Sequence, residues 1–274
     1  MKVAVLAGAL LAAGIGRAPG ASVSLPEIPG TLFAVGWANN SPVYTADLRT
    51  GEFTLLGLSN APFLNALAVT ADGRILGAGN HSHLVEIDSQ TGRATNLFRI
   101  DLPVEPFPLS IRGLAVSPGG DLYMFHSPNR NGDRFERTLW RMNILGEDVE
   151  LITHYDGSTT VQGLAFAPDG TLWGLELQSD MNLITIDPET GTIFDQDEPD
   201  GLTGQSLEFI ATDRLIVGDQ FDNLRVFDFQ GNVLTLGSGG TNVELRGLAF
   251  LPIPEPNLSV LAGACVVCIL LRRV

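Results

Sequence analysis

The chain has 274 residues and carries 16 lysines and arginines against 31 aspartates and glutamates, a net charge of −15. That length allows one or two domains with a sizeable core, and the acidity argues against a nucleic-acid binder, whose surface must attract phosphates. The one lysine, Lys2, stands in a leader-like segment, so the body offers neither a phosphate-loop lysine nor a Schiff-base lysine.

Lys2 is followed by the apolar run Val3 to Ile15 and then by small residues around Ala18 to Ala21. A charged start, an apolar stretch too short to cross a membrane and a small-residue exit predict a secretory signal over residues 1–22.

From residue 31 to residue 251 the chain repeats itself. One phrase recurs as Asn65-Ala-Leu-Ala-Val69, Arg112-Gly-Leu-Ala-Val116, Gln162-Gly-Leu-Ala-Phe166, Ser206-Leu-Glu-Phe209 and Arg246-Gly-Leu-Ala-Phe250. Its leucines, Leu67, Leu114, Leu164, Leu207 and Leu248, are spaced by 47, 50, 43 and 41 residues, the length of one propeller blade. A second phrase alternates with it: Tyr44 to Asp47, Leu84 to Asp88, Leu139 to Asn143, Leu183 to Asp187 and Leu224 to Asp228, each running into a glycine-bearing turn. Period-two alternation, branched and aromatic residues and glycine turns predict antiparallel hairpins, and no stretch has a helical period. Each unit therefore reads as a four-stranded sheet whose innermost strand is covered on both faces. The first copy lacks an innermost strand, and the last copy, Glu244 to Leu251, is an innermost strand with nothing after it. The prediction is an all-β, five-bladed β-propeller over residues 31–251, closed by a composite blade from both ends. An irregular two-sheet β-sandwich is the alternative.

The run Gly163-Leu-Ala-Phe-Ala-Pro-Asp-Gly-Thr-Leu-Trp-Gly174, followed by Ile184-Thr-Ile-Asp-Pro-Glu-Thr-Gly191, is similar to the repeats of YncE-like and NHL-like propellers. That resemblance implies a blade and not a reaction.

In a propeller the Asp-Gly and Thr-Gly turns share one face, and Asp72, Asp88, Asp169 and Asp187 read as turn caps. The opposite face receives the longer, more individual loops, where binding usually resides. Its candidates are Glu176, Asp180, Asp219, Asp222 and Asn223, hard oxygen donors suited to Ca²⁺. His81, His83 and His126 could share a metal ion or stand as solvated neighbours. Arg130, Arg134, Arg137 and Arg141 read as a solvated insertion whose forks suit carboxylate or sulfate. Trp37, Trp140 and Trp173 are expected to fill gaps between blades. No nucleophile elbow, zincin motif or phosphate loop is present,.

Beyond the body stand Pro254-Glu255-Pro256, an apolar run to Leu271, and Arg272-Arg273-Val274. This tail, residues 254–274, resembles the PEP-CTERM sorting signal. The resemblance implies a short hydrophobic helix, an exosortase-type processing enzyme as partner, a transiently membrane-associated precursor and a surface or extracellular fate. Both cysteines, Cys265 and Cys268, lie in it, so the body has no disulfide to lean on. Without leader and tail, 12 cations face 30 anions, a charge of −18. These features predict an exported, non-catalytic propeller that binds extracellular polysaccharide or a surface protein. The alternative is a divalent-metal-dependent, lactonase-like hydrolase or lyase.

Overall fold

The computed structural model describes residues 28–81, 83–103, 110–127, 137–155, 159–177, 181–195, 204–219, 223–229, 232–238 and 244–253. The expected leader and sorting tail, with Pro254, Glu255, Pro256, Arg272 and Arg273, lie outside the described residues.

β1 (Gly30–Gly36), β2 (Pro42–Ala46) and β3 (Phe53–Leu58) begin the first sheet. β4 (Leu64–Val69), β5 (Ile75–Gly79), β6 (His83–Ile87) and β7 (Ala94–Arg99) make the second. The third holds β8 (Ile111–Val116), β9 (Leu122–His126), β10 (Arg137–Met142) and β11 (Glu150–Tyr155). The fourth holds β12 (Val161–Phe166), β13 (Leu172–Leu177), β14 (Met181–Ile186) and β15 (Ile193–Asp195). The fifth holds β16 (Ser206–Ala211), β17 (Arg214–Gly218), β18 (Asn223–Asp228) and β19 (Val233–Ser238). The last strand, β20 (Leu245–Pro252), returns to the first sheet in the order β20-β1-β2-β3, with Leu32 opposite Phe250 and Ala34 opposite Leu248. Five antiparallel four-stranded sheets thus close as a propeller through a composite blade, and the two-sheet sandwich is excluded.

The burial pattern explains the closure. β4, β8 and β12 are buried at five consecutive positions because neighbouring blades cover both faces of an inner strand,. Instead of one core there is a hydrophobic cluster at each blade interface. One joins Tyr123 and Phe125 to Leu164, Leu172 and Ile184, and another joins Leu32 and Ala34 to Ile216, Leu224 and Val226. The latter exists only if the composite blade of β1 and β20 packs beside β17 and β18. Inner strands approach so closely that a Cβ at Gly247 would lie 2.8 Å from the Leu67 nitrogen, which is why small residues precede the leucine.

The turn aspartates cap as expected. Asp88 Oδ1 accepts the main-chain N–H of Gln90 and Thr91 at 3.0 and 2.8 Å, and Gly92 closes the turn at φ 70°,. Asp187 Oδ1 accepts from Glu189 and Thr190 at 2.9 Å each, and Asp169 Oδ1 accepts from Thr171 at 2.9 Å. Asp72 accepts from the Thr70 hydroxyl. Among the described residues no helix is long and apolar enough to cross a membrane.

Candidate functional site

The five inner strands line a central channel. Leu67, Leu114, Leu164, Leu207 and Leu248 close its waist, each at most 3 % exposed. The space at this level is about 10 Å³, room for one water at most, so the channel has two separate mouths. Register places a polar residue two positions before every leucine, on the side of the longer loops: Asn65, Arg112, Gln162, Gln205 and Arg246.

Two guanidinium groups dominate this mouth. Arg112 is 8 % exposed and its Nε has no hydrogen-bond partner among the described residues. Burial, helped by Arg246 and opposed by Glu244, pulls its pKa down to about 10,. Arg246 gives Nη2 to Glu244 Oε1 at 2.6 Å, and Glu244 also accepts from Gln205 Nε2 at 3.0 Å. The Arg246 guanidinium lies 5.4 Å from the Trp37 ring centre, and Trp37 packs on Phe63 at 5.1 Å,. Asn65 Nδ2 donates to Asn80 Oδ1 at 2.7 Å, where the Ser110 hydroxyl also donates at 2.9 Å. Buried Arg112 and half-buried Arg246 thus both face the Glu244 carboxylate, and a further carboxylate entering this mouth would meet fork-shaped donors.

The predicted site residues that are described stand around this mouth and do not gather as one ligand set. Glu176, at the loop end of β13, is 3 % exposed and attracts Arg137 of the neighbouring blade. Asp219 is also 3 % exposed and closes its own loop, accepting from Asn223 N at 3.0 Å and Asn223 Nδ2 at 2.8 Å. Both acids, read from the sequence as oxygen donors on the loop face, are buried at strand ends. Asp180 and Asp222 lie outside the described residues. His81 Nδ1 accepts the His83 N–H at 3.3 Å, and burial, with His83 beside it, lowers the His81 pKa. His126 is 3 % exposed, with neither ring nitrogen partnered among the described residues, and burial lowers its pKa to about 4. Among the described residues no three His, Cys, Asp or Glu side chains gather as they would around a metal ion.

Of the basic segment, Arg130 and Arg134 lie outside the described residues. Arg141 instead bridges two blades, pairing with Glu150 at 2.5 Å and Glu189 at 2.9 Å. Trp140 is buried, and Trp173 packs against Phe209 of the next blade at 6.1 Å, as expected of gap fillers. Trp37 is the correction: it is 36 % exposed, because it follows β1 into the loop face and carries Arg246 there. A recess of about 600 Å³ opens elsewhere, beside Asp47, Arg49 and Ile253 at the edge of the first blade. It is an open groove of exposed turn residues and lacks the buried, partnerless polar atoms of the channel mouth.

No protein-family model and no curated protein sequence matches the chain. Solved structures do. TolB from Acinetobacter baumannii is similar at a TM-score of 0.53 and 14 % identity, over 83 % of this chain and 68 % of that one. A gluconolactonase from Xanthomonas campestris is similar at a TM-score of 0.51 and 16 % identity, over 87 % of this chain and 99 % of the other. At such identities the shared property is the β-propeller fold, which in the described body of this chain has five blades.

Proposed function

We propose that the chain is an exported, non-catalytic propeller that holds a carboxylate-bearing extracellular polysaccharide in the loop-face mouth of its channel. The leader-like segment 1–22 and the tail 254–274 support export and sorting, with an exosortase-type enzyme processing a membrane-associated precursor. The observation that carries the binding reading is the meeting of Arg112 and Arg246 in a buried mouth with Glu244 as their shared counter-charge. The plugged waist limits the ligand to the mouth, so a chain end or a single acidic sugar is the unit recognised. The body's net negative charge opposes long polyanions, which makes the contact local and selective.

The test is titration with oligogalacturonate against a neutral dextran oligomer. The acidic ligand is expected to bind, to weaken with added salt, and to lose roughly tenfold or more in affinity in Arg112→Gln. Glutamine already occupies the equivalent ring position in two other blades, so this variant is expected to fold. Equal binding of dextran, or an unchanged affinity in Arg112→Gln, overturns the reading, and capture of a surface protein in its place would identify the other partner class.

A second reading, a divalent-metal-dependent hydrolase or lyase, is favoured by the burial of Glu176 and Asp219 near the same face. The two arginines oppose it at the channel itself, since they repel a divalent cation where the donors would have to converge. Ca²⁺ binding that is lost in Glu176→Ala or Asp219→Ala would reverse this order.

A further inference from the structure

The opposite mouth of the channel is a different object. It is a cup of about 370 Å³ on the tight-turn face, within the range of small-molecule sites,. Its wall is formed by Val69, Val116, Phe166, Phe209 and Phe250, with prolines at the rim. Among the described residues that line it, one is ionisable: Glu208.

Register makes Glu208 an exception within the repeat. The residue after the waist leucine is alanine in the other four blades, Ala68, Ala115, Ala165 and Ala249, all at most 4 % exposed. The blade therefore does not require an acid there. Its Oε1 accepts the Phe209 N–H at 2.9 Å, and the Phe250 N–H also bonds the carboxyl. Inner strands have no sheet partner on their channel side, so main-chain groups face the channel in every blade. Four blades meet that need without a side-chain acid, so capping alone does not account for Glu208.

We propose that this cup binds a small organic ammonium ion, its apolar body against the valine and phenylalanine wall and its cationic head against Glu208. The strongly acidic chain favours cations in general,. The inference concerns a different mouth and does not rest on the polysaccharide reading. Burial holds the unliganded carboxyl largely protonated at neutral pH, against the two N–H groups that favour its charge,. Binding then converts Glu208 from acid to carboxylate and releases one proton to solvent. No other titratable or charged group from the strands around the cup faces it among the described residues.

The test is calorimetry on the full chain with benzyltrimethylammonium, whose charge does not titrate, and with benzyl alcohol as the uncharged control. The cation is expected to bind roughly tenfold tighter or more at pH 8.5 than at pH 6.5, with proton release at the lower pH seen as a buffer-dependent heat. Benzyl alcohol is expected to show no such dependence. Glu208→Ala, which copies the other four blades, and Glu208→Gln, which keeps the shape, should both reduce the cation to the level of the alcohol while circular dichroism reports a folded propeller. Undiminished binding in Glu208→Ala, or a wild type that binds the cation no better than the alcohol or not at all, overturns the proposal.

Discussion

Two desolvated groups, buried His126 and half-buried Glu208, push the pH dependence of stability in opposite directions, and their separation is a quantitative test of the channel architecture. Burial lowers the His126 pKa from 6.5 to about 4. Below pH 6.5 the unfolded chain takes up a proton that the folded chain refuses, so stability falls as pH drops from 6.5 to 4 by about 1.4 kcal/mol per unit. Lowering of the His81 pKa by burial adds in the same direction. Burial raises the Glu208 pKa from 4.5 to about 8. Between those values the folded chain keeps a proton that the unfolded chain releases, so stability falls as pH rises, by a similar slope of about 1.4 kcal/mol per unit. From pH 4.5 to 6.5 the two contributions oppose each other, and from 6.5 to 8 Glu208 acts alone and costs about 2 kcal/mol. The low-pKa turn aspartates act below this window, as their carboxylates protonate.

Denaturant unfolding of the wild type is therefore expected to show a near-plateau from pH 4.5 to 6.5, tilted slightly upward by His81, and a decline to pH 8,. Glu208→Ala should unmask a rise of about 3 kcal/mol from pH 4.5 to 6.5 and remove the decline above it. His126→Leu should instead decline across most of the window. If both variants run parallel to the wild type, neither group is held away from its ordinary pKa and the burial of both has been misread.

Three further outcomes follow from the closure and the ring. In a chain with Cys265→Ser and Cys268→Ser, the pair Thr31→Cys and Leu251→Cys stands directly opposite across β1 and β20, within disulfide reach. Oxidation should stabilise the closed ring by up to ~5 kcal/mol over the reduced form, because it ties a loop of about 220 residues; failure to cross-link under oxidising conditions would sink the closure. Gly247→Ala would press a Cβ to 2.8 Å from the Leu67 nitrogen and 2.9 Å from the Ala66 carbonyl carbon, so it should cost about 1–3 kcal/mol in chemical denaturation. Arg112→Ala, unlike Arg112→Gln, removes every side-chain hydrogen-bond donor as well as the charge, and is expected to abolish retention on immobilised oligogalacturonate, with wild-type retention in this variant as the contrary result.

The fold was legible because its cause is local and recurrent. Every blade must bury an inner strand on both faces and turn twice on the same side, so the small-apolar phrase and the aspartate-capped turns reappear at a blade's interval. The unmatched first and last copies announced the composite blade for the same reason, since neither could bury its faces alone. The site was less legible. Asn65, Arg112, Gln162 and Arg246 stand at the head of the repeated phrase in plain view, and Gln205 completes them once β16 is paired with β17. That these positions surround the channel follows from register between sheets, which no single strand encodes. Loop residues attracted attention instead because they are polar and individual, yet Glu176 and Asp219 are buried and Asp219 is engaged with Asn223.

Glu208 illustrates the general reason. In a repeat, what is shared is what the fold needs, here leucine followed by alanine. What departs from the shared pattern without loosening the blade is free to serve a ligand. An acid in place of alanine disfavours its own ionisation by burial, and the surrounding blades show that the ring closes without it,. The departure is visible in the sequence as a single letter, but its meaning depends on the cup that five separate strands build around it.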